Sequence, residues 1–180
     1  DLRDLRERGL IAGAITASPS YGGEREAISL VGALHAAAED GEWDAAIVGP
    51  GPGIIGSGTA LGHGGMIALD SAHAALALGC PTVLVARASS GDPRERHQGI
   101  SHHTRSVLRL LLAPVTVGLG PNAPLTPEIE GHRWVRAEPD LDDYAQSGLP
   151  RRTMGRDLFE DELFFEQALA GGIALARTVS

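Results

Sequence analysis

The stretch "ASSGDPRERHQGISHHT" concentrates side chains that bind anions and transfer protons. Its two arginines, Arg94 and Arg96, carry guanidinium groups that hold phosphate or carboxylate through paired hydrogen bonds. Its three histidines, His97, His102 and His103, titrate near neutral pH and belong to the residue type that most often serves as general acid or base. The segment therefore predicts a site that holds an anionic substrate beside a proton-transferring imidazole.

A helix start within this stretch supports that prediction. Serine is a favoured N-cap residue, and the apolar periodicity after Ser101 predicts a helix over residues 101–112. The first helical turn, which contains Thr104, presents unpaired amides and the positive end of the helix dipole to an anion. The same positive end favours a neutral imidazole at His102 or His103, which can then accept a proton. Ser101 and Thr104 are therefore predicted to contribute to substrate binding.

A metal centre is the less favoured interpretation of these histidines, and the prediction is that they hold no metal. The spacing of His97, His102 and His103 gives no pair four residues apart on one helix face, so a shared ion would need a bent loop. Adjacent histidines also point to different sides of a helix, so one of the two is expected to face a ligand. His63 from another loop is a further ligand candidate. The cofactor stays unassigned, with a divalent metal as the alternative.

The loop "GPGPGIIGSGTALGHGG" is the second candidate for ligand binding. It formally contains the G-x-G-x-x-G pattern of dinucleotide sites, but further glycines follow, and the next strand does not end in an acid for a ribose. An ATPase phosphate loop is excluded because Gly-Lys-Ser/Thr is missing. Two interpretations stay open: amides and hydroxyls that wrap an anion or a sugar, and glycines that only permit tight turns and close packing. The binding residues predicted here are Gly51, Gly53, Gly56, Ser57, Gly58 and Thr59.

Two more residues join the predicted substrate site through their positions in loops. Glu24 ends the loop after the first predicted strand, and Arg156 lies in "TMGRD" ahead of the last predicted helix. Other chemically capable side chains are assigned to packing. His35 and His73 lie near apolar stripes of predicted helices, and Cys80 lies at the entry side of a strand, away from the predicted site.

The elements that position these residues follow a strand, loop and helix order that occurs three times. The strands are "LIAGAITA", "WDAAIVG" and "PTVLVARA", and the helices that follow them cover residues 24–39, 66–78 and 101–112. "APVTVGLG" predicts a fourth strand and "HRWVRAE" an edge strand. At the two ends, "DLRDLRER" predicts a helix closed by Gly9, and residues 161–176 predict a final helix.

This order predicts a single α/β domain over residues 1–180 with the three-layer αβα architecture. Right-handed crossovers give a mostly parallel, Rossmann-like sheet of four or five strands. In such a sheet the loops that follow the strands meet outside the carboxyl edge, where ligands bind. The glycine-rich loop and the histidine-containing loop are therefore expected to converge.

Composition limits the classes of function. The chain of 180 residues is 43% hydrophobic and 21% charged, as expected for a globular domain. Its net charge of −8 and lack of a basic stripe argue against nucleic-acid binding. Neither a long apolar stretch nor a secretory signal is present, which predicts a cytoplasmic protein without a membrane partner. The expected partner is a small-molecule anion, and self-association to a homo-oligomer would cover an exposed sheet edge.

Three segments in the order "GPGPGIIGSGT", "GDPRERHQGISHHT" and "TMGRDLFEDELFF" resemble an uncharacterised bacterial family, domain of unknown function 3866. The resemblance runs from about Gly9 to the C-terminus, and it implies the C-terminal half of a longer protein with further strands before it. The chain departs from the family at Glu24, where an aspartate is typical, at Ser18, where a histidine is expected, and in a shorter connection after Pro121. The resemblance implies no established activity.

Together these features predict an enzyme, of the hydrolase or transferase class, acting on a small phosphate-like or nucleotide-like anion at the carboxyl edge of the sheet. Two alternatives stay open. One is a non-catalytic module that binds a nucleotide or metabolite, and the other is a structural subunit of a larger assembly.

Overall fold

The computed structural model describes residues 2–40, 43–50, 55–124 and 129–179, which form a mixed α/β fold. The helices are α1 (Leu2–Glu7), α2 (Leu30–Glu39), α3 (Ile67–Ala77), α4 (His102–Leu110), α5 (Leu141–Gln146) and α6 (Glu162–Val179). The strands are β1 (Ile15–Ala17), β2 (Arg25–Ala27), β3 (Val83–Leu84), β4 (Ala88–Ser89), β5 (Gly99–Ile100), β6 (Thr116–Leu119), β7 (Arg133–Arg136), β8 (Arg152–Thr153) and β9 (Arg156–Asp157). Within the described ranges, no helix has both the length and the apolar character needed to cross a bilayer.

The central sheet consists of three parallel strands in the order β3, β6, β7. Strand β6 lies in the middle, and its residues Val117 and Leu119 are fully buried. A strand covered on both faces needs a nearly continuous apolar run, which "APVTVGLG" provides. Helix α4 lies between β3 and β6 in the chain, so this unit is the predicted strand, helix and strand order. The edge position predicted for "HRWVRAE" is confirmed by β7.

Helices cover both faces of this sheet. Val117 packs in a buried cluster with Val107 and Leu108 of α4, and side chains of α3 extend that cluster. The next residue, Gly118, faces the other side, because successive residues of a strand point in opposite directions. There a Cβ atom at Gly118 would approach the carbonyl oxygen of Ala170 in α6 to 2.4 Å. The close approach of α6 to the sheet therefore requires glycine at this position.

The predicted sheet of four or five strands is not what the described residues form. "WDAAIVG" contains no strand, and the side chain of Ile47 is 86% exposed. The first predicted strand is shortened to β1, which pairs in parallel with β2 in a separate two-stranded sheet. The apolar run around Ile47 lies against no covering layer among the described residues, so it lacks the burial that stabilises a central strand.

The helix predictions hold, with one boundary moved. Helices α3, α4 and α6 confirm the predictions over 66–78, 101–112 and 161–176, and Gly9 ends α1 with a φ of +69°. The helix predicted from residue 24 begins later, because Ser29 caps α2 by accepting a hydrogen bond from the amide of Gly32 at 3.2 Å. The residues before Ser29 form strand β2 instead.

Candidate functional site

The loop that follows β3 closes into a hairpin before α4 begins. Strands β4 and β5 pair in antiparallel fashion, with Ala88 opposite Ile100 and Ser89 opposite Gly99. Ser101 then caps α4, as predicted, by accepting a hydrogen bond from the amide of His103 at 3.3 Å. The turn of this hairpin carries the arginines, and its base carries the histidines at the start of α4.

Ser101 and Thr104 act within the protein. Both are buried, and the Oγ atom of Ser101 lies 2.7 Å from Nδ1 of His97. The Oγ1 atom of Thr104 accepts a hydrogen bond from the amide of Arg87 at 2.9 Å. Their hydroxyls therefore hold the hairpin against α4. Because both hydroxyls are already engaged, neither is free for the direct substrate contact that was predicted.

Four imidazole rings meet at the start of α4, and we call His63, His97, His102 and His103 the histidine cluster. His63 stacks on His103 with ring centroids 3.9 Å apart, and His102 and His103 are 4.3 Å apart. His97 lies 4.9 Å from both His102 and His103. The structure thus brings together the three histidines predicted to be catalytic and the further candidate from the glycine-rich loop.

His102 and His103, of which one was expected to face a ligand, both direct their rings toward His63. Side chains of a helix lean toward its N-terminus, so rings in the first turn project beyond the helix end and meet there. His102 and His103 occupy that first turn, and both rings contact the ring of His63.

The histidines are held in the neutral form. Burial, with smaller contributions from His63 and His102, lowers the pKa of His103 to about 3. Burial and the charges of Arg87 and Arg94 together lower the pKa of His97 to about 4. The pKa values of His63 and His102 are lowered as well, again mainly by burial. A neutral imidazole offers a lone pair, which can accept a proton or bind a metal ion.

Some of these ring nitrogens are buried without a hydrogen-bond partner among the described residues. They are Nδ1 and Nε2 of His63 and Nε2 of His102. One nitrogen from each of His63, His102 and His103 lies within 4.8 Å of the others. Three imidazoles at this separation can share one divalent cation. The spacing of His97, His102 and His103 alone disfavours a shared ion, and the third member of this set is His63, the further ligand candidate from another loop.

The predicted anion-binding arginine Arg94 is engaged by a carboxylate of its own loop. Its Nε donates to Oδ1 of Asp92 at 2.9 Å, and its Nη2 donates to Oδ2 at 2.8 Å. The side chain of Asp92 is fully buried, and Arg87 lies 3.4 Å from it as well. The hydrogen bonds from Arg94 hold the pKa of Asp92 well below its usual range. The paired hydrogen bonds that were predicted to hold a substrate are therefore made to Asp92.

Arg156 is brought to the same loop by the hairpin of β8 and β9, as its assignment to the site requires. Its Nε donates to Oδ2 of Asp161 at 2.9 Å, and its Nη2 lies 4.0 Å from Asp92. Asp161 precedes α6, is fully buried, and accepts hydrogen bonds from the hydroxyl of Ser89 at 2.6 Å and the amide of Ser90 at 2.8 Å. Sequence reasoning missed Asp161, although an acid directly before a helix is a recognisable signal.

Arg96 differs from the other arginines of the loop. Its side chain is exposed, and among the described residues no ion pair or hydrogen bond involves it. The pKa of His102 is lowered mainly by burial, then by the charge of His63, and then by the positive charge of Arg96. Arg96 is therefore the guanidinium group of this loop that is available to an anion.

The glycine-rich loop reaches the site through His63. Gly56 pairs with His63 in an isolated antiparallel bridge, and Ser57 and Thr59 bond to each other through their hydroxyls at 3.1 Å. Gly58 is exposed, with open space where a side chain would lie. The predictions for Gly51 and Gly53 lie outside the described residues. The described part of this loop thus lies beside the histidine cluster.

Glu24 belongs to a different part of the fold. Its carboxylate pairs with Arg6 of α1 and lies near the small sheet of β1 and β2. Its described contacts do not include the histidine cluster or the arginine-bearing hairpin. The assignment of Glu24 to the substrate site therefore receives no geometric support.

Comparison with known proteins identifies a family but no activity. A family model described as "Protein of unknown function (DUF3866)" matches residues 1–172, a range that includes the histidine cluster and its arginines. Comparison with curated proteins and with solved structures found no match.

Proposed function

Because the chain belongs to the DUF3866 family, whose description assigns no activity, we propose its function from the histidine cluster and the arginines beside it. The proposed function is an enzyme of the hydrolase or transferase class. Its substrate is a small anion of phosphate-like or nucleotide-like chemistry, bound where the hairpin after β3 meets the start of α4.

The observation that carries this proposal is a neutral imidazole beside an available guanidinium group. His102 is partly exposed, its lowered pKa leaves it unprotonated at neutral pH, and the charge of Arg96 acts on it. Arg96 would hold the anion, and His102 would accept a proton from the attacking hydroxyl or water. His97 is 1% exposed and bonded to Ser101, so it positions the neighbouring rings.

Local charge supports an anionic substrate. Four arginines, Arg87, Arg94, Arg96 and Arg156, lie in or beside the hairpin, and all but Arg96 pair with Asp92 or Asp161. With Glu95 of the same hairpin counted, the arginines outnumber the carboxylates by four to three, so this region is slightly positive in a chain whose net charge is −8. An anion would be attracted to this position more than to the rest of the surface.

The second candidate function is a non-catalytic module that binds a nucleotide or metabolite. The guanidinium group of Arg94 and the hydroxyls of Ser101 and Thr104 are engaged in hydrogen bonds within the protein. This favours a binding module, because fewer polar groups are left to take part in catalysis. A purely structural subunit is the remaining alternative.

Several related expectations stay part of this proposal. They are a cytoplasmic location, a small-molecule partner in place of nucleic acid or membrane, and self-association through a sheet edge. The relation to the C-terminal half of a longer bacterial protein with a Rossmann-like sheet is a prediction of the same kind.

A thermal-shift screen separates the candidates. The purified chain is heated with inorganic phosphate, nucleotides and sugar phosphates, and any compound that raises the Tm is then incubated with the protein and assayed for product. An enzyme gives stabilisation and product, a binding module gives stabilisation alone, and a structural subunit gives neither. The last outcome would refute the proposed function.

A further inference from the structure

The histidine cluster has a second capacity that proton transfer does not require. We propose that His63, His102 and His103 form a binding site for one divalent transition-metal ion, with Zn²⁺ as the best fit. The site combines a loop residue with the first two residues of α4. This inference stands on ring geometry and competes with the proton-accepting role of His102, because a lone pair that binds a metal ion cannot also accept a proton.

The ring nitrogens already lie near the separation that a metal requires. Three nitrogens bound to Zn²⁺ at about 2.1 Å in tetrahedral geometry are about 3.4 Å apart. One nitrogen of each ring lies within 4.8 Å of the other two in the structure. Binding would require side-chain rotations that bring the three nitrogens closer together and turn the stacked rings of His63 and His103 toward one point.

The hydrogen bonding of the rings also points to a ligand. Buried polar atoms are normally paired, and each exception calls for an explanation. Both nitrogens of His63 and Nε2 of His102 are buried and lack a partner among the described residues. A metal ion at the centre of the rings would satisfy a nitrogen on each of these two residues and on His103 together.

The type of donor selects the type of ion. Imidazole binds zinc, copper, iron and nickel, whereas Mg²⁺ and Ca²⁺ prefer oxygen ligands. Three histidines with a remaining open position form the ligand set found in catalytic zinc sites. The positive charge of the neighbouring arginines opposes any cation, and Asp92 and Asp161 offset part of it by pairing with Arg87, Arg94 and Arg156.

His97 takes a supporting place in this site. Its Nδ1 lies 2.7 Å from the hydroxyl of Ser101, and its ring packs against both His102 and His103. It therefore restricts the two ligand rings of α4 to orientations that face His63. We assign it as a positioning residue.

The first test uses the unmodified protein and needs no substrate. The chain is treated with a chelator, and the imidazole nitrogens of its seven histidines are observed by long-range ¹H–¹⁵N NMR while Zn²⁺ is added. One equivalent should shift the ring nitrogens of His63, His102 and His103, while those of His35, His73 and His132 stay in place. Absence of shifts, or shifts led by a histidine outside the cluster, would overturn the proposal.

The second test uses variants with a matched control. By calorimetry, His63→Gln and His102→Gln should each weaken Zn²⁺ binding at least about tenfold, and the exposed His35→Gln should leave it unchanged. Equal affinities in all of them would overturn the site. Circular dichroism establishes that each variant is folded before titration.

The third test marks the position of the ion. In a Cys80→Ser background, which removes the chain's one cysteine, His63→Cys should bind Co²⁺ with a thiolate-to-cobalt charge-transfer band. The Cys80→Ser protein itself should show Co²⁺ absorption without that band. A folded His63→Cys protein that gives no such band would exclude residue 63 as a ligand.

These results are independent of the screen for anionic ligands. Zn²⁺ binding at the three rings with no anion hit would retain the metal site and reject the proposed function. An anion hit with product formed, but without Zn²⁺ binding, would do the opposite.

Discussion

The ring of His63 stacks on the ring of His103 with the two planes inclined by 20°. This contact joins the glycine-rich loop to the start of α4, although α3 and β3 lie between them in the chain. Gly65 permits the contact, because a Cβ atom there would lie 2.9 Å from Nδ1 of His63 and 3.3 Å from the ring of His103. Two loops that the sequence predicted to converge are thus connected by a pair of imidazoles.

Replacing a histidine of the cluster should affect function more than stability. In His102→Gln we expect a change in unfolding free energy below about 1 kcal/mol, because Nε2 of His102 makes no hydrogen bond among the described residues. Turnover of any substrate found should fall by about 10²–10⁴. Thermal denaturation and initial rates check this, with His35→Gln as the control. Collapse of the fold in His102→Gln would show that the histidine is structural.

Two arginines of one loop should respond in opposite ways. Arg96→Ala should weaken anion binding with little change in Tm, because Arg96 is exposed and has no described partner. Arg94→Ala should lower the unfolding free energy by about 1–3 kcal/mol, because it removes paired hydrogen bonds to buried Asp92. Urea denaturation and calorimetry with phosphate separate the two effects. The opposite pattern would mean that Arg94 binds the ligand and Arg96 supports the fold.

Acid should destabilise the protein partly through Asp161. Burial raises the pKa of Asp161, but hydrogen bonds from Ser89, the Ser90 amide and Arg156 outweigh it, so the folded-state pKa lies below the ordinary value. A depressed pKa contributes stability above the unfolded-state value of about 3.9, and that contribution is lost as the pH falls toward the folded-state value. The unfolding free energy should therefore decline below about pH 5.

The variant Asp161→Asn isolates this carboxylate. It should lose about 3 kcal/mol at neutral pH, and its unfolding free energy should depend less on pH between about 5 and 3. Asp92 also has a lowered pKa, so some acid sensitivity should remain. Urea denaturation at a series of pH values measures both quantities. An unchanged pH profile would exclude Asp161 as a source of acid lability.

Gly118 should tolerate no side chain. A Cβ atom at this position would lie 2.4 Å from the carbonyl oxygen of Ala170 and 2.9 Å from the amide nitrogen of Gly171, both in the backbone of α6. Gly118→Ala should therefore push α6 from the sheet and lower the unfolding free energy by about 1–3 kcal/mol. Gly58→Ala is the matched control, because open space surrounds that position. Equal midpoints of thermal unfolding for the two variants would contradict the packing described.

Local signals in the sequence were sufficient for much of the fold. The cap at Ser101 and the apolar periodicity after it placed α4 to within two residues of its end. The run around Val117 gave the buried middle strand. In contrast, the apolar residues around Ile47 resembled a strand, but a strand forms only where neighbouring strands and covering helices exist. Those partners are not encoded in the run itself.

The grouping of the candidate site residues could be predicted only in part. The residues His97, His102 and His103 are close in sequence, so their grouping could be predicted. The contact of His63 with His103 depends on how α3 packs, and no local pattern contains that information. Arg94 was predicted to hold an anion, and its pairing with Asp92 depends on the path of a turn, which glycine and proline neighbours allow but do not determine.

Asp161 joins the hairpin after β3 to α6 through Ser89, Ser90 and Arg156. A ribosome releases the hairpin well before it releases the residues that hold it. During synthesis, therefore, the hairpin lacks its hydrogen bonds to Asp161 until the segment that contains α6 has emerged. The site is assembled only then. A nascent chain arrested ahead of α6 should be far more sensitive to protease at this hairpin than the finished protein.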